Sequence, residues 1–277
     1  MPPQYATPRD RGHSTNLVGV STDLLASAAF NAHPLPLHIT GAREMYRSLL
    51  EMLDQSETPT EAADVFSHYM GVVFGLDPDQ REKADQNKTG PVRRYRSSYL
   101  RLLKGWGYDS NSPEGAVLKG WVESRFGLFP TFHKQVLTRF SGDAWMTYVA
   151  EKMSSRFHNN AIQTQLDLLY EFSQWALARY HAPGQTHVRL YRAVNDFDEH
   201  PVVETIDRRR RVLRLNNLVS FSCERDMADV FGDMILEADV PVVKIMFFNG
   251  LIPSAPLRGE AEYLVIGGDF LVKASYL

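Results

Sequence analysis

The spacing of apolar residues changes once along the chain. From about residue 40 to residue 180, apolar side chains recur every three or four positions, as they do in amphipathic helices. After Gly184 the sequence has short apolar runs bounded by Asn, Gly or Pro, which are typical of strands. The pattern therefore predicts an α+β fold, with a helical N-terminal region packed on a strand-rich core.

Start and stop residues locate the predicted helices. The clearest start is Thr58-Pro59-Thr60-Glu61, which combines an N-cap, a proline at the first helical position and a capping-box glutamate. Thr40 is a second candidate cap, before a predicted apolar helix face that includes Met45 and Leu53. Further helices are predicted over residues 92–104, 112–126, 143–153 and 163–180, with a short one over 224–234.

Short strands are predicted at residues 188–194, 218–222, 242–248 and 262–266. Residues 1–14 are rich in Pro, Arg and Thr without periodicity, and we interpret them as a disordered leader. The predicted organisation is a leader over 1–14, a helical region over 15–184 and a strand-rich core over 185–277.

Composition excludes several classes of protein. With 44% hydrophobic and 23% charged residues, the 277-residue chain resembles ordinary folded proteins. Its net charge of −3 provides no overall attraction to nucleic acid, and no apolar run approaches the ~20 residues of a membrane span. The single cysteine, Cys223, cannot form an intramolecular disulfide. We therefore expect a cytoplasmic protein without a nucleic-acid partner or a membrane span.

Several common catalytic and nucleotide-binding motifs are absent from the sequence. It contains neither G-x-G-x-x-G nor G-x-x-x-x-G-K-[ST], so the Rossmann and P-loop interpretations fail. It also lacks H-E-x-x-H and G-x-S-x-G, and its nine histidines have spacings that suit no metal. We predict no metal site.

Polar residues occur in or beside three of the predicted strands. Arg192 lies within one strand, Ser220 and Ser222 lie within another, and Glu260 and Glu262 open a third. The two-residue period of a strand would point both glutamates to the same side. An E-x-E pair alone is often a solvated strand edge, but buried Arg and Ser side chains normally have a bound partner. Together the polar residues of these three strands predict a functional site.

The order Arg, Ser-x-Ser, Glu-x-Glu resembles the R-S-E signature of toxin-like mono-ADP-ribosyltransferases. The similarity runs from about residue 188 to the end, and includes Ala228-x-x-Phe231 and the segment 267–272. Outside that region, Asn-Ala-His-Pro-Leu-Pro-Leu at 31–37 and Gly-Trp-Gly-Tyr at 105–108 resemble the dinitrogenase reductase ADP-ribosyltransferases of nitrogen-fixing bacteria. The resemblance implies that residues 185–277 form an ADP-ribosyltransferase catalytic core.

That resemblance implies a site for NAD, which would be the ADP-ribose donor. Glu262 would oppose the positive charge on the ribose and accept from its 2′-hydroxyl, while Glu260 would bind the acceptor arginine and take its proton. Arg192 would hold the pyrophosphate, although a plain strand salt bridge is the alternative. Ser220 would orient Glu262 or the nicotinamide ribose.

Three further residues would complete the NAD site by resemblance. The backbone of Ala193 would bind the nicotinamide carboxamide, Ser222 would support the strand geometry and Phe231 would lie against nicotinamide. Ala193 stands where many relatives have Gly, and Phe221 where many have Thr, which bears on the fit around nicotinamide. Purely structural roles remain the alternative for Ser222 and Phe231.

The chemistry of the reaction suits two ionised glutamates. Nicotinamide leaves NAD as a neutral group, so no carboxylic acid is needed to protonate an oxygen. A carboxylate can instead stabilise the developing cation. An arginine acceptor, with a pKa above ~12, must lose a proton to attack, and a second carboxylate can accept it.

The function implied by resemblance is transfer of ADP-ribose to an arginine of dinitrogenase reductase, which would reversibly inactivate nitrogenase. A PII-type signalling protein would be the activator. Two alternatives stay open: a catalytically silent module that binds ADP-ribose or a protein, and an NAD glycohydrolase. The four arginines at 208–211 are interpreted as a solvated face, with docking of an acidic protein as the alternative.

Overall fold

The computed structural model describes residues 11–76, 97–195, 200–228, 233–253 and 261–276. Helices occupy most of the described residues up to 176, and a six-stranded antiparallel sheet follows, which confirms the predicted α+β class. The helices are α1 (Thr22–Leu25), α2 (Ala28–Ala32), α3 (Ala42–Met45), α4 (Arg47–Asp54), α5 (Pro59–Phe74), α6 (Tyr99–Tyr108), α7 (Pro113–Phe126), α8 (Asp143–Lys152), α9 (Ile162–Ala176) and α10 (Arg225–Ala228). The strands are β1 (Phe132–His133), β2 (Gln135–Val136), β3 (His187–Val194), β4 (Val202–Thr205), β5 (Arg210–Ser222), β6 (Met234–Pro241), β7 (Ile245–Phe248) and β8 (Glu262–Tyr276).

Two helices start at side-chain caps, and the cap at Thr58 is the one that the sequence predicts. The Thr58 hydroxyl accepts from the backbone N–H of Glu61 at 3.2 Å, and proline fills the first position of α5. The Ser112 hydroxyl accepts from the N–H of Gly115 at 3.1 Å at the start of α7, again with proline following the cap. In both cases a side-chain oxygen satisfies an N–H that has no partner within the helix.

The helix expected after Thr40 is broken in two, and Thr40 does not cap it. The Thr40 hydroxyl donates to the carbonyl of Leu17 at 2.8 Å instead. Tyr46, with φ −115° and ψ 36°, leaves helical geometry between α3 and α4. Because the break rotates one segment relative to the other, Met45 is 74% exposed whereas Leu53 is buried. The single apolar face predicted for this segment was therefore wrong.

The chain between residues 224 and 248 also differs from its prediction. Of the helix expected over 224–234, the described residues include α10, whereas Met234 begins strand β6, which the sequence analysis missed. The strand expected over 242–248 begins with a 3₁₀ turn, Val242–Lys244, after Pro241 ends β6. Short apolar runs fit a helix or a strand equally well, so periodicity alone could not separate them.

The sheet has the order β4-β5-β3-β6-β8-β7, and β5 also pairs with β8. Two register pairs determine the geometry of the site: Tyr191 lies opposite Ser222, and Ser222 lies opposite Glu262. The end of β5 is therefore flanked by β3 on one side and by the start of β8 on the other. The strands that carry the arginine, the serines and the second glutamate of the motif therefore meet here.

Helix α9 connects the helical region to the sheet. The Gln174 side-chain amide donates to the carbonyls of Val242 at 3.1 Å and Ile245 at 2.8 Å, and the Tyr170 hydroxyl donates to the carbonyl of Val243 at 2.8 Å. Apolar side chains from both regions form one continuous buried cluster. The helical region therefore packs directly against the strands that carry the motif.

A lysine is buried where the N-terminal helices meet the sheet. Lys244 donates to the carbonyl of Gly267 at 2.9 Å and lies within 5.4 Å of the ring centroids of Phe30 and Phe270. Burial lowers the pKa of Lys244 to about 7, because the charged ammonium loses its hydration.

The N-terminal segment crosses the middle of β8, at Gly268 and Asp269. The side-chain amide of Asn31 donates to the carbonyl of Asp269 at 2.9 Å, and Arg11 pairs with the Asp269 carboxylate at 3.0 Å. The backbone N–H of Asp269 donates to the carbonyl of Ala26 at 2.7 Å. A Cβ on Gly268 would lie 2.8 Å from that same carbonyl oxygen, so the close approach requires glycine.

Candidate active site

Hydrogen bonds join three of the predicted site residues. Arg192 on β3 donates from Nη1 to the backbone carbonyl of Ser220 on β5 at 2.8 Å. The hydroxyl of Ser220 donates to Oε1 of Glu262, the first residue of β8. The strand register thus brings together the arginine, the first serine and the second glutamate of the motif.

The carboxylate of Glu262 is buried, with the residue only 5% exposed. Besides Ser220, it accepts from the indole Nε1 of Trp106 at 3.2 Å, and that nitrogen is also 2.9 Å from the Ser220 hydroxyl oxygen. A buried carboxylate is stable only where hydrogen bonds replace its hydration. These donors therefore allow an ionised group to persist in the interior, where its electrostatic effect is strong.

The sequence analysis did not identify Trp106 as a site residue. It noted the Gly-Trp-Gly-Tyr segment at 105–108 only for its resemblance to the family. A buried tryptophan on an amphipathic helix is ordinarily a core residue, and no local pattern gives its long-range partner.

A buried cation lies beside the Trp106 indole. Nζ of Lys119 is 5.9 Å from the indole ring centre and donates to Oδ1 of Asn111 at 3.2 Å and to the carbonyl of Phe132 at 3.0 Å. Burial lowers the pKa of Lys119 to about 8. The indole is thus packed between the site and a polar cluster of the helical region.

The other predicted site residues are only partly described. The Ser222 hydroxyl donates to the carbonyl of Glu224 at 3.0 Å and accepts from its N–H at 3.1 Å, in the turn that ends β5. Ala193 pairs with Ile235 across β3 and β6. Glu260 and Phe231 lie outside the described residues.

The backbone before Glu262 does not have the geometry expected from the E-x-E pattern. We predicted a strand running through both glutamates, which would place their side chains on one side. Strand β8 instead begins at Glu262, and Ala261 has a φ of +46°, in the left-handed region. Since strand alternation requires extended backbone, it does not apply across Ala261.

His200 is a second residue that the sequence analysis missed. Burial, followed by the nearby positive charge of Arg192, lowers the pKa of His200 to about 3, so the ring is neutral near pH 7. Among the residues that the structure describes, nothing forms a hydrogen bond with its buried Nε2. A polar ring atom beside an arginine suits contact with a polar ligand.

A cleft of about 530 Å³ lies away from these residues, between the N-terminal segment and α7. Its charged wall is already paired, because Lys152 contacts both Glu123 oxygens at 2.7 Å and the Tyr148 hydroxyl donates to the same carboxylate. Volume alone would favour this cleft, but its chemistry offers no reactive group comparable to Glu262.

Comparison with known proteins defines the family. The family model of dinitrogenase reductase ADP-ribosyltransferase (DRAT) matches residues 15–274. The chain belongs to the dinitrogenase reductase ADP-ribosyltransferase family. One relative of this family, NAD(+)–dinitrogen-reductase ADP-D-ribosyltransferase of Rhodospirillum rubrum, is 63% identical over 266 residues, which cover 96% of each chain. No solved structure matches the chain significantly.

Membership of the dinitrogenase reductase ADP-ribosyltransferase family confirms the resemblance predicted from the sequence. The described groups also fit the chemistry of NAD: a carboxylate and a hydroxyl for ribose, and a guanidinium for pyrophosphate. Within the described ranges, no three His, Cys, Asp or Glu side chains are grouped as metal ligands. No helix in those ranges is both long and apolar enough to cross a membrane.

Proposed function

We propose that this protein transfers ADP-ribose from NAD to an arginine of dinitrogenase reductase, and thereby inactivates nitrogenase reversibly. The central observation is the buried carboxylate of Glu262, held by Ser220 and Trp106 beside Arg192. The relative that shares 63% identity, and is named for this reaction, supports the choice of donor and acceptor. A silent binding module would not require the full set of Arg192, Ser220 and Glu262.

Glu262 would stabilise the cation that forms as NAD breaks. The bond between C1 of the ribose and the nicotinamide nitrogen cleaves, and its electron pair leaves with neutral nicotinamide. A fixed carboxylate then opposes the positive charge on the ribose, and burial strengthens that interaction. Ser220 would keep the carboxylate in place, since its hydroxyl donates to Oε1.

Glu260 would serve the acceptor. The guanidinium nitrogen forms the new bond to C1 and releases a proton, and Glu260 would accept that proton. The left-handed backbone at Ala261 interrupts strand alternation, so the proposed role of Glu260 is not argued from that alternation. It rests on the position of Glu260 in the motif, two residues before Glu262.

Arg192 would bind the pyrophosphate of NAD. Its bond from Nη1 to the Ser220 carbonyl fixes the plane of the guanidinium, and a planar fork of donors suits phosphate oxygens better than an ammonium does. Ala193 would contact the carboxamide through its backbone, Ser222 would maintain the turn after β5, and Phe231 would lie against nicotinamide. We also propose a cytoplasmic location and a PII-type protein as activator.

The test combines labelled NAD with purified dinitrogenase reductase and measures nicotinamide release and protein labelling together. The wild-type protein should label the acceptor, whereas a glycohydrolase would yield free ADP-ribose and a silent module neither product. We expect Glu260→Gln to abolish labelling but retain slow nicotinamide release, because water can trap the cation without giving up a guanidinium proton.

Glu224→Gln is the matched control, since Glu224 is an exposed carboxylate near the end of β5. It should keep both activities. A parallel loss of both activities in a folded Glu260→Gln protein would contradict the separate roles of the two glutamates. Adding a PII-type protein to the wild-type reaction tests the activator, which should raise the labelling rate.

A further inference from the structure

Trp106 belongs to the helical region, yet its side chain contacts the reaction centre. It lies on α6, is only 4% exposed, and its Nε1 is 2.9 Å from the Ser220 hydroxyl and 3.2 Å from Oε1 of Glu262. Both distances are within or close to normal hydrogen-bond range. A residue remote from the motif in sequence therefore contacts two of its members.

The directions of these bonds follow from donor chemistry. An indole nitrogen can only donate, so both Ser220 and Glu262 accept from it. The Ser220 hydroxyl therefore presents a lone pair to Trp106 and its proton to Glu262. Trp106 thus fixes the orientation of the serine proton as well as the position of the carboxylate.

We propose that Trp106 is a positioning residue for the transferase reaction, which acts by holding Ser220 and Glu262 in one hydrogen-bonded arrangement. This inference rests on the proposed function of Glu262. It means that the helical region contributes directly to the geometry of the reaction centre.

Packing around α6 supports a fixed position for the indole. A Cβ on Gly105 would lie 2.4 Å from Cβ of Glu114, so α6 and α7 approach closely only because residue 105 is glycine. Lys119 on α7 also lies beside the indole ring. The residue before Trp106 and a residue on the neighbouring helix thereby limit its movement.

Trp121 provides a matched comparison within the same chain. It is also buried, on α7, and its Nε1 donates to Oδ1 of Asp167 at 2.7 Å. That carboxylate is bound by Arg125 and has no place in the proposed reaction. Substituting either tryptophan removes an indole N–H from a carboxylate, but only Trp106 contacts Glu262.

The experiment compares Trp106→Phe with Trp121→Phe, measuring kcat and KM for nicotinamide release together with thermal unfolding. We expect Trp106→Phe to lower kcat by about 10-fold to 100-fold, as misplaced catalytic groups do, while KM changes by about 2-fold or less. Trp121→Phe should lose stability but keep kcat. Unchanged kcat in Trp106→Phe, or an equal loss in both variants, would overturn the inference.

A second readout does not need the phenylalanine variants to be active. The Trp106 indole is intact in Ser220→Ala and Glu262→Gln, so its N–H resonance should shift in these variants relative to wild-type protein. The resonance of Trp121 should not shift. An unmoved Trp106 resonance in both variants overturns the contact. If Glu262→Gln retains full turnover, the proposed role of Glu262 fails instead, whatever the Trp106 variant does.

Discussion

The sheet and the helical region provide residues of the candidate site in different ways. Arg192, Ser220 and Glu262 meet because neighbouring strands pair in a fixed register. Trp106 reaches the same place because α6 packs on α7, and α7 contacts β5. Residues that meet through strand register can form a recognisable sequence motif. A residue that meets them through helix packing shows in the sequence only as one more buried side chain. A sequence motif therefore identifies the site residues that lie on the sheet and omits those that lie on the helices.

The largest expected effect on activity is at a site residue of the sheet. Glu262→Gln keeps the shape of the side chain but removes the charge that opposes the ribose cation, so nicotinamide release should fall by ~10²–10³. Calorimetry should show that NAD still binds. Glu204→Gln, an exposed carboxylate on β4, is the control and should be unaffected. Turnover near the wild-type rate in Glu262→Gln would remove this residue from the reaction.

A smaller effect is expected at the other strand of the motif. Arg192→Lys replaces a fork of donors with a point charge far from the breaking bond, so NAD affinity should fall about 10-fold while turnover of bound NAD changes less. Arg189→Lys is the control on the same strand, where the arginine is exposed and pairs with Glu237 and Asp239. An unchanged dissociation constant would restrict Arg192 to its contact with Ser220.

The smallest expected effect compares one buried lysine from each region. The pKa falls from about 10.5 to about 7 for Lys244 and to about 8 for Lys119. Between the folded and unfolded values the unfolded chain binds more protons, so stability rises with pH; below the folded value the cost of burial is constant. Each lysine should contribute a slope of about 1.4 kcal/mol per pH unit in that range.

Urea unfolding at several pH values measures these slopes. Lys244→Met should flatten the rise from about pH 7 upward, and Lys119→Met only from about pH 8 upward. If both variants keep the wild-type slope, the two lysines are less strongly desolvated than their burial indicates. A change in only one of them would show that the two regions differ in how water reaches their interiors.

Much of the fold follows from local signals in the sequence. The start of α5 was predicted because Thr58 is a cap whose effect depends only on the next three residues. The start of α7 was predicted within one residue, at 112. Strand β3 was predicted nearly to its ends, since its apolar residues are bounded by polar turns. Capping and alternation are short-range effects, which a sequence shows directly.

The features that the sequence did not reveal depend on distant contacts or on backbone strain. Trp106 finds its partners across the fold, and the pKa of His200 is set by burial and by Arg192 on β3. Ala261 adopts a left-handed conformation that alanine alone would not predict. Met234 begins a strand because the sheet provides its partners, and its own neighbours fit a helix as well.

The contact between the first helices and the last strand determines when this protein can fold. Asn31 bonds to Asp269 across 238 residues of sequence. During synthesis the segment around Phe30 leaves the ribosome well before its partner strand. Contacts so distant form slowly, because chain entropy is lost before they are made. Apolar side chains around Phe30 therefore stay exposed on the nascent chain until β8 has emerged, and we expect the yield of folded protein to depend on protection from aggregation during that time.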